Sequence, residues 1–145
     1  MITLQEITRE NIDAVLALRV DENQRDFVSS NAESLALTYA YPNTAYPFAV
    51  YADAEPVGFI MMGYYEVKQY YTLWKFMIDY RYQNRGYGRK ALELGIEYMK
   101  DRFHVSEIYT GVVPGNEAAK KLYWSAGFRE TGLIELGMEE LRLIL

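Results

Sequence analysis

Gln83-Asn84-Arg85-Gly86-Tyr87-Gly88-Arg89-Lys90 decides how the rest of the chain is read. Before it, Thr72 to Asp79 reads as a strand and Tyr80 to Arg85 as a loop. After it, Gly86 to Lys100 places Ala91, Leu92, Gly95, Ile96 and Met99 on one helical face. The stretch is therefore a strand-to-helix turn. Gly86 and Gly88 let backbone come close to a bulky anion and take dihedrals that a Cβ disfavours. A helix start offers amides without acceptors and the positive end of the dipole. Arg85, Arg89 and Lys90 add formal charge, so the turn suits a pyrophosphate. Taken alone, the two glycines fit a solvated basic turn equally well. The turn is not a Walker loop, because Gly-Lys-Ser/Thr is missing, nor a dinucleotide fingerprint, because the third glycine is absent.

Upstream, Phe48 to Ala52 and Val57 to Tyr65 form a hairpin around Asp53 to Pro56, and Thr72 to Asp79 adds a third strand. Nearer the start, Ile2-Thr3-Leu4 is a short strand. Ile12, Val15 and Leu16 follow helical spacing to Val20, and Asp21 to Asn31 is a polar loop. Ala32 to Tyr41 is a helix closed by Pro42, and Pro42 to Pro47 is rich in turn residues. Downstream, Glu107 to Val113 is a strand and Asn116 to Ala126 a helix with Gly127 at C′. Phe128 to Thr131 and Glu139 to Leu145 are two final strands around a Gly137 turn. This order predicts an α+β fold, a sheet with helices packed on its faces. A doubly wound parallel sheet is disfavoured, since the central strands connect by short turns.

The chain has 145 residues, the length of one domain spanning 1–145, and enough to bury a substantial core. Hydrophobic residues make up 50% and charged residues 24%, an ordinary globular balance. The net charge of −5 disfavours nucleic acid, whose phosphates need a basic face. There is no cysteine and one histidine, His104, which removes disulfides, thiolate nucleophiles and multi-histidine metal sites, so no metal is expected. The beginning of the chain lacks a secretory pattern and no apolar run has the length of a membrane span, so a cytoplasmic protein without membrane attachment is expected. The 14 tyrosines are unusual, and tyrosine suits a wall that contacts a ligand.

The segment Asn116-Glu-Ala-Ala-Lys-Lys-Leu-Tyr123-Trp-Ser-Ala-Gly127-Phe128 adds a second motif. Gln83-x-x-Gly86-x-Gly88 after a strand, then Asn116, then Leu122-Tyr123-x-x-x-Gly127-Phe128 resembles the GNAT superfamily of N-acetyltransferases. The match runs from Val57 to Phe128, about half of the chain. A narrower resemblance lies upstream. Val20-Asp-Glu-Asn23-Gln24-x-x-Phe27-Val28, Val57-Gly58-Phe59 and Trp74-x-Phe76-Met77-Ile78-Asp79 are similar to bacterial spermine/spermidine-type acetyltransferases. Asn84-Arg85 stands where that group often has Gly-Lys, a change that keeps the cation.

The resemblance implies a mixed central sheet with a splayed parallel strand pair and acetyl-CoA as cosubstrate in the splay. It implies that Phe76, Met77 and Ile78 bond the pantetheine through backbone, as an added strand does. Arg81, Gln83, Arg85, Gly86, Tyr87, Gly88 and Arg89 are implied around the pyrophosphate, Asn116 at the pantetheine arm, and Lys120 at the 3′-phosphate or in solvent. Tyr123 matches the family's general acid, a phenol that protonates the departing thiolate. The amide of Met77 or Ile78 is a candidate for polarising the thioester carbonyl. Glu22, Asp26, Glu66 and Asp79 are candidate bases, with Glu66 and Asp79 nearest the expected chemistry and a water chain as the alternative. Glu22, Asp26, Tyr41 and Tyr64 are expected to line the pocket of a small amine, since carboxylates and aromatic faces favour alkylammonium groups. Polyamines are the leading acceptors. A peptide or protein amine, or a sensor that binds acetyl-CoA without turnover, is the alternative. A homodimer is common among such folds.

Overall fold

The structure is a computed structural model that describes residues 1–145. The strands are β1 (Ile2–Gln5), β2 (Ala45–Ala52), β3 (Glu55–Tyr65), β4 (Tyr70–Ile78), β5 (Glu107–Val112), β6 (Arg129–Glu135) and β7 (Met138–Ile144). The helices are α1 (Ile12–Ala17), α2 (Asn31–Ala40), α3 (Tyr87–Phe103) and α4 (Glu117–Ser125), with single 3-10 turns at Glu22–Gln24 and Tyr80–Tyr82. All seven strands form one sheet in the order β1-β2-β3-β4-β5-β7-β6.

Every neighbouring pair is antiparallel except β4 and β5. That parallel pair is short, with only Thr72 opposite Tyr109 and Leu73 opposite Thr110. Beyond it the strands part, β4 running on to Ile78 and β5 to Val112. Two threonine hydroxyls hold the point of divergence. Thr72 Oγ1 donates to the Tyr109 carbonyl at 2.9 Å, and Thr110 Oγ1 donates to the Leu73 carbonyl at 3.1 Å. This is the splayed α+β sheet that the sequence motifs imply.

Helices cover both faces. Leu92 and Met99 of α3 and Tyr123 of α4 pack with Ile60, Met62, Leu73, Ile108 and Phe128 on one face. Val15 and Leu18 pack with Phe59, Met61 and Met77 on the other. Val57 to Gly63 of β3 is buried without interruption, which is why that segment reads as a continuous apolar run.

Four boundaries differ from the sequence expectation by three residues or more. Helix α1 stops at Ala17 and not Val20, because Leu18 turns extended at ψ 137°. The next residue, Arg19, donates its amide to Asp79 instead of continuing the helix. Strand β2 begins at Ala45, inside the stretch read as a turn, and includes Pro47. Pro47 fits because its nitrogen faces away from β3 and β1 pairs only with residues 49–52. Helix α3 runs to Phe103 and closes on His104 in the left-handed region at φ 54°. Strand β6 extends to Glu135, beyond the Thr131 expected.

Candidate active site

A cleft of 1520 Å³ passes through the divergence between β4 and β5. One end meets the Gly86–Arg89 turn, and the other meets the α1–α2 segment and the β6–β7 turn. Its middle is walled by Thr72 to Ile78 on one side and by Thr110 to Val113 with Tyr123 on the other.

The register fixes what β4 offers to the cleft. Asp79 N–H donates to the Val57 carbonyl at 2.8 Å, while Met77 lies opposite Phe59 and Ile78 opposite Gly58. Amides alternate sides along an antiparallel ladder. Met77 therefore turns its own amide and carbonyl into β3, and the amides of Phe76 and Ile78 face the divergence. Of the two amides considered for polarising a carbonyl, the Met77 choice is thus corrected and Ile78 is left. The Ile78 carbonyl is already taken by Gln83 Nε2 at 2.9 Å.

The turn after β4 is built on Asp79. This carboxylate is 0% exposed and accepts from Arg19 N at 3.0 Å, Arg81 N at 3.0 Å and Arg81 Nε at 2.8 Å. Burial alone raises a carboxyl pKa, but here the hydrogen bonds from Arg81 and Arg19 outweigh it and hold Asp79 below its ordinary range. A carboxylate so occupied anchors the turn, and the expectation of Asp79 as a base is corrected. Gly86 follows at φ 81°, where a Cβ would meet nothing within 4 Å. Glycine is required there for its dihedral and not for space. The 17-residue α3 begins at the next residue and presents its opening amides to the cleft end. That geometry fits a pyrophosphate.

The cations divide. Arg89 lines the cleft, with Nε on Glu93 at 3.1 Å and Nη1 on Ser125 Oγ at 3.0 Å. Arg81 folds back on Asp79, and Arg85 lies over Tyr82 while donating to the Arg81 carbonyl at 3.3 Å. Neither lines the cleft. Lys120 sits between Glu139 at 3.0 Å and Glu130 at 3.3 Å and is also outside it. Gln83, Gly86, Tyr87 and Gly88 line the cleft with Asn116, whose side chain caps α4 by accepting from Ala119 N at 3.4 Å.

Tyr123 lies deep in the divergence at 7% exposure, its hydroxyl beside Thr110. Burial pushes its pKa up to about 12, against a smaller downward pull from Thr110, so the phenol keeps its proton at neutral pH. Its place is fixed by the helix end. Phe128 N donates to the Tyr123 carbonyl at 3.0 Å, Gly127 N donates to the Trp124 carbonyl at 3.0 Å, and Gly127 is left-handed at φ 108°. This is a Schellman closure, and it explains the Tyr-x-x-x-Gly-Phe spacing physically.

On the acceptor side, Glu22, Asp26 and Tyr64 line the cleft, with both acids exposed and Tyr64 edge-on to Tyr71 at 4.9 Å. Glu66 is exposed on the β3–β4 turn and Tyr41 leans on Trp74 at 5.7 Å, and neither lines the cleft. Those two expectations are corrected, because the turn carries Glu66 outward and Trp74 holds Tyr41. In their place the cleft contains groups that sequence reasoning missed. Glu140 is buried and accepts from Lys68 at 3.0 Å, Tyr70 at 3.1 Å and Thr131 at 2.8 Å. Lys68 also pairs with Glu135 at 3.1 Å, tying the β3–β4 turn to the last hairpin. Lys75 reaches Ser29. The signal for Lys75 was a lone charge inside an apolar strand. Glu139-Glu140 gave none, since adjacent strand residues face opposite sides.

A sheet opened between two parallel strands, a glycine turn with helix amides at its mouth and a buried neutral phenol inside define an acyl-transfer architecture. The Acetyltransferase (GNAT) family matches residues 12–128, and the chain belongs to that family. It is an acetyl-CoA-dependent N-acetyltransferase. It is 30% identical to a spermine/spermidine N(1)-acetyltransferase of Bacillus subtilis over 146 aligned positions, covering 96% of this chain and 95% of that protein. A spermidine N-acetyltransferase from Vibrio cholerae in complex with CoA and spermine has the same fold, with TM-score 0.77 and 19% identity over 99% of this chain and 95% of the other. The PaiA N-acetyltransferase from Thermoplasma acidophilum in complex with coenzyme A aligns with TM-score 0.74 and 13% identity, covering 100% of this chain and 99% of that one.

Proposed function

We propose that this acetyltransferase moves the acetyl group of acetyl-CoA onto a primary amine of a small polyamine by direct attack, with Tyr123 as general acid. The observation that carries the reading is Tyr123 itself, a phenol held neutral by burial where β4 and β5 part. The similarity to the Bacillus enzyme over nearly the whole chain supports the polyamine class.

Bound acetyl-CoA supplies a thioester carbonyl open to an amine. The chain's part is positional and electrostatic. Opening amides of α3, with Arg89, hold the pyrophosphate. Phe76 extends the backbone contact along the pantetheine, and the Ile78 amide polarises the carbonyl. The Tyr123 hydroxyl gives its proton to the departing sulfur and regains one from the new ammonium through solvent. With Asp79 occupied and Glu66 outside the cleft, the acceptor loses its first proton to water near the rim carboxylates Glu22 and Asp26. Tyr64 and its aromatic neighbours contact the alkyl chain.

Release of CoA from acetyl-CoA is measured with spermidine, spermine, short diamines, lysine, an aminoglycoside and an N-terminal peptide. Turnover is expected on the polyamines, and Tyr123→Phe is expected to lower kcat by about one to two orders of magnitude. Turnover on the peptide alone rejects the acceptor class. Unchanged kcat in Tyr123→Phe rejects the general acid.

A further inference from the structure

One side chain ties together the two banks of the cleft at its acceptor end. Tyr64, Tyr65 and Tyr70 form the bank that belongs to β3 and β4, and Glu135, Met138 and Glu140 form the bank that belongs to the β6–β7 hairpin. Lys68, on the turn between β3 and β4, sends its ammonium across to Glu140 at 3.0 Å and to Glu135 at 3.1 Å. It lies 5.8 Å from the centre of the Tyr70 ring and does not itself line the cleft. Hydrogen bonds to Glu140 and Glu135 raise its pKa, so the bridge is charged at neutral pH.

The register shows which face the bridge crosses. Strand β5 lies between β4 and β7. Ile108 and Val112 pack into the core under α3 and α4. Side chains alternate along a strand, so Tyr109 and Gly111 face the other way, and Glu140 stands directly opposite Gly111. The bridge therefore crosses β5 on the α1–α2 face. The strand surface beneath it is filled. Tyr70 stacks on Tyr109 at 3.9 Å and donates to Glu140 at 3.1 Å, and a Cβ on Gly111 would meet Met138 Sδ at 2.9 Å.

An acceptor brings the rest of its molecule along with its amine. An alkylamine is slim and ends within the cleft. A peptide is wider and continues, and along β5 it has to pass between the β3–β4 turn and the β6–β7 hairpin, the gap that Lys68 spans. A charge pair with one buried partner is weak as a stabiliser, and apolar residues would join turn and hairpin as firmly. What the pair adds to the site is its position.

We propose that the Lys68 bridge sets acceptor specificity by barring the cleft between the β3–β4 turn and the β6–β7 hairpin, so that alkylamines are accepted and the N-terminal amines of peptides are refused. The inference rests on the polyamine N-acetyltransfer reading of the same cleft. The transfer is the same for either acceptor: the N–C bond forms, the thioester C–S bond breaks, and the amine proton ends on the CoA thiol.

The test compares spermidine with a lysine-free peptide of four residues, by kcat/KM, in the wild-type enzyme, Lys68→Ala and Lys68→Arg, with thermal melts of all three. Wild type is expected to prefer spermidine strongly. In Lys68→Ala the ratio of peptide to spermidine kcat/KM is expected to rise about tenfold or more, and Lys68→Arg, which rebuilds the bridge, is expected to stay near the wild-type ratio. Spermidine turnover with an unchanged ratio in a folded Lys68→Ala overturns the inference and leaves the polyamine reading standing. Wild type that acetylates the peptide as efficiently as spermidine overturns it without any variant. No acetylation of either amine by any of the three proteins overturns both.

Discussion

Replacing Asp79 by asparagine separates an anchoring role from a basic one. In the wild type this single carboxylate collects Arg19 N and Arg81 N at 3.0 Å and Arg81 Nε at 2.8 Å, with no exposure to solvent. Asparagine keeps one oxygen and turns an NH₂ toward donors that need an acceptor. A hydrogen bond to a charged group is worth about 1.5–3 kcal/mol. The Arg81 guanidinium is 54% exposed, so its contact is discounted for solvent screening and the backbone donors carry most of the loss. The expected destabilisation is about 2 kcal/mol, which lowers Tm by about 4–8 °C for a chain of this size. Because the same carboxylate fixes the entry to the Gly86 turn, KM for acetyl-CoA is expected to rise more than kcat falls. Urea unfolding, melting curves and steady-state kinetics between pH 6 and pH 9 read all of this. A variant with wild-type stability whose kcat collapses and whose acid limb disappears would refute the anchoring argument and restore Asp79 as a base.

Gly86→Ala forces a Cβ into a left-handed position at φ 81°, a cost of about 1 kcal/mol, although no neighbour is struck. A raised KM for acetyl-CoA with an intact acceptor KM is expected, and an unchanged cofactor KM speaks against the turn as the pyrophosphate seat. Asp79 and Glu140 both have pKa values below the ordinary carboxylate range. For each, burial opposes the shift and hydrogen bonds win, from Arg81 and Arg19 for Asp79 and from Lys68, Thr131 and Tyr70 for Glu140. Their stabilisation is therefore complete above the unfolded-state pKa of about 4 and is lost as pH falls through the lower folded values. Chemical denaturation between pH 2 and pH 6 is expected to show a steep acid loss that flattens in Glu140→Gln, and equal slopes would remove Glu140 from that linkage.

What the sequence made legible was periodic. Apolar residues at helical spacing located the body of α3, and the Tyr-x-x-x-Gly-Phe spacing located a helix end whose closure is set by Gly127. Partner choice by long charged side chains was not legible. Lys120 and Arg81 carry the right charge for a phosphate, yet the fold brings carboxylates to each of them first. Glu66 directly follows β3, whose last residues Tyr64 and Tyr65 line the cleft, but it is already in the turn and is carried outward. The irregularity at Met61/Met62, opposite Leu73 and Lys75, adds an extra residue to β4 at Trp74. Such a bulge belongs to two strands at once, so alternation along either one alone could not place Lys75.

The brevity of the β4–β5 pairing also divides the molecule mechanically. Strands β1 to β4 form one antiparallel plate contiguous in sequence, β5 to β7 form another, and two ladder positions with two hydroxyl clasps weld them edge to edge. The weld joins positions 37 residues apart, fewer than the 44–50 that separate the paired positions of β1 and β2, so the join costs no more loop closure than the first plate does within itself. Beneath the weld one apolar core spans both plates, with Ile60, Met62 and Leu73 of the first in the same cluster as Ile108, Phe128 and Leu141 of the second. The opening that admits substrate is thus a gap in the ladder alone, and the fold is bridged across it by side chains instead of backbone.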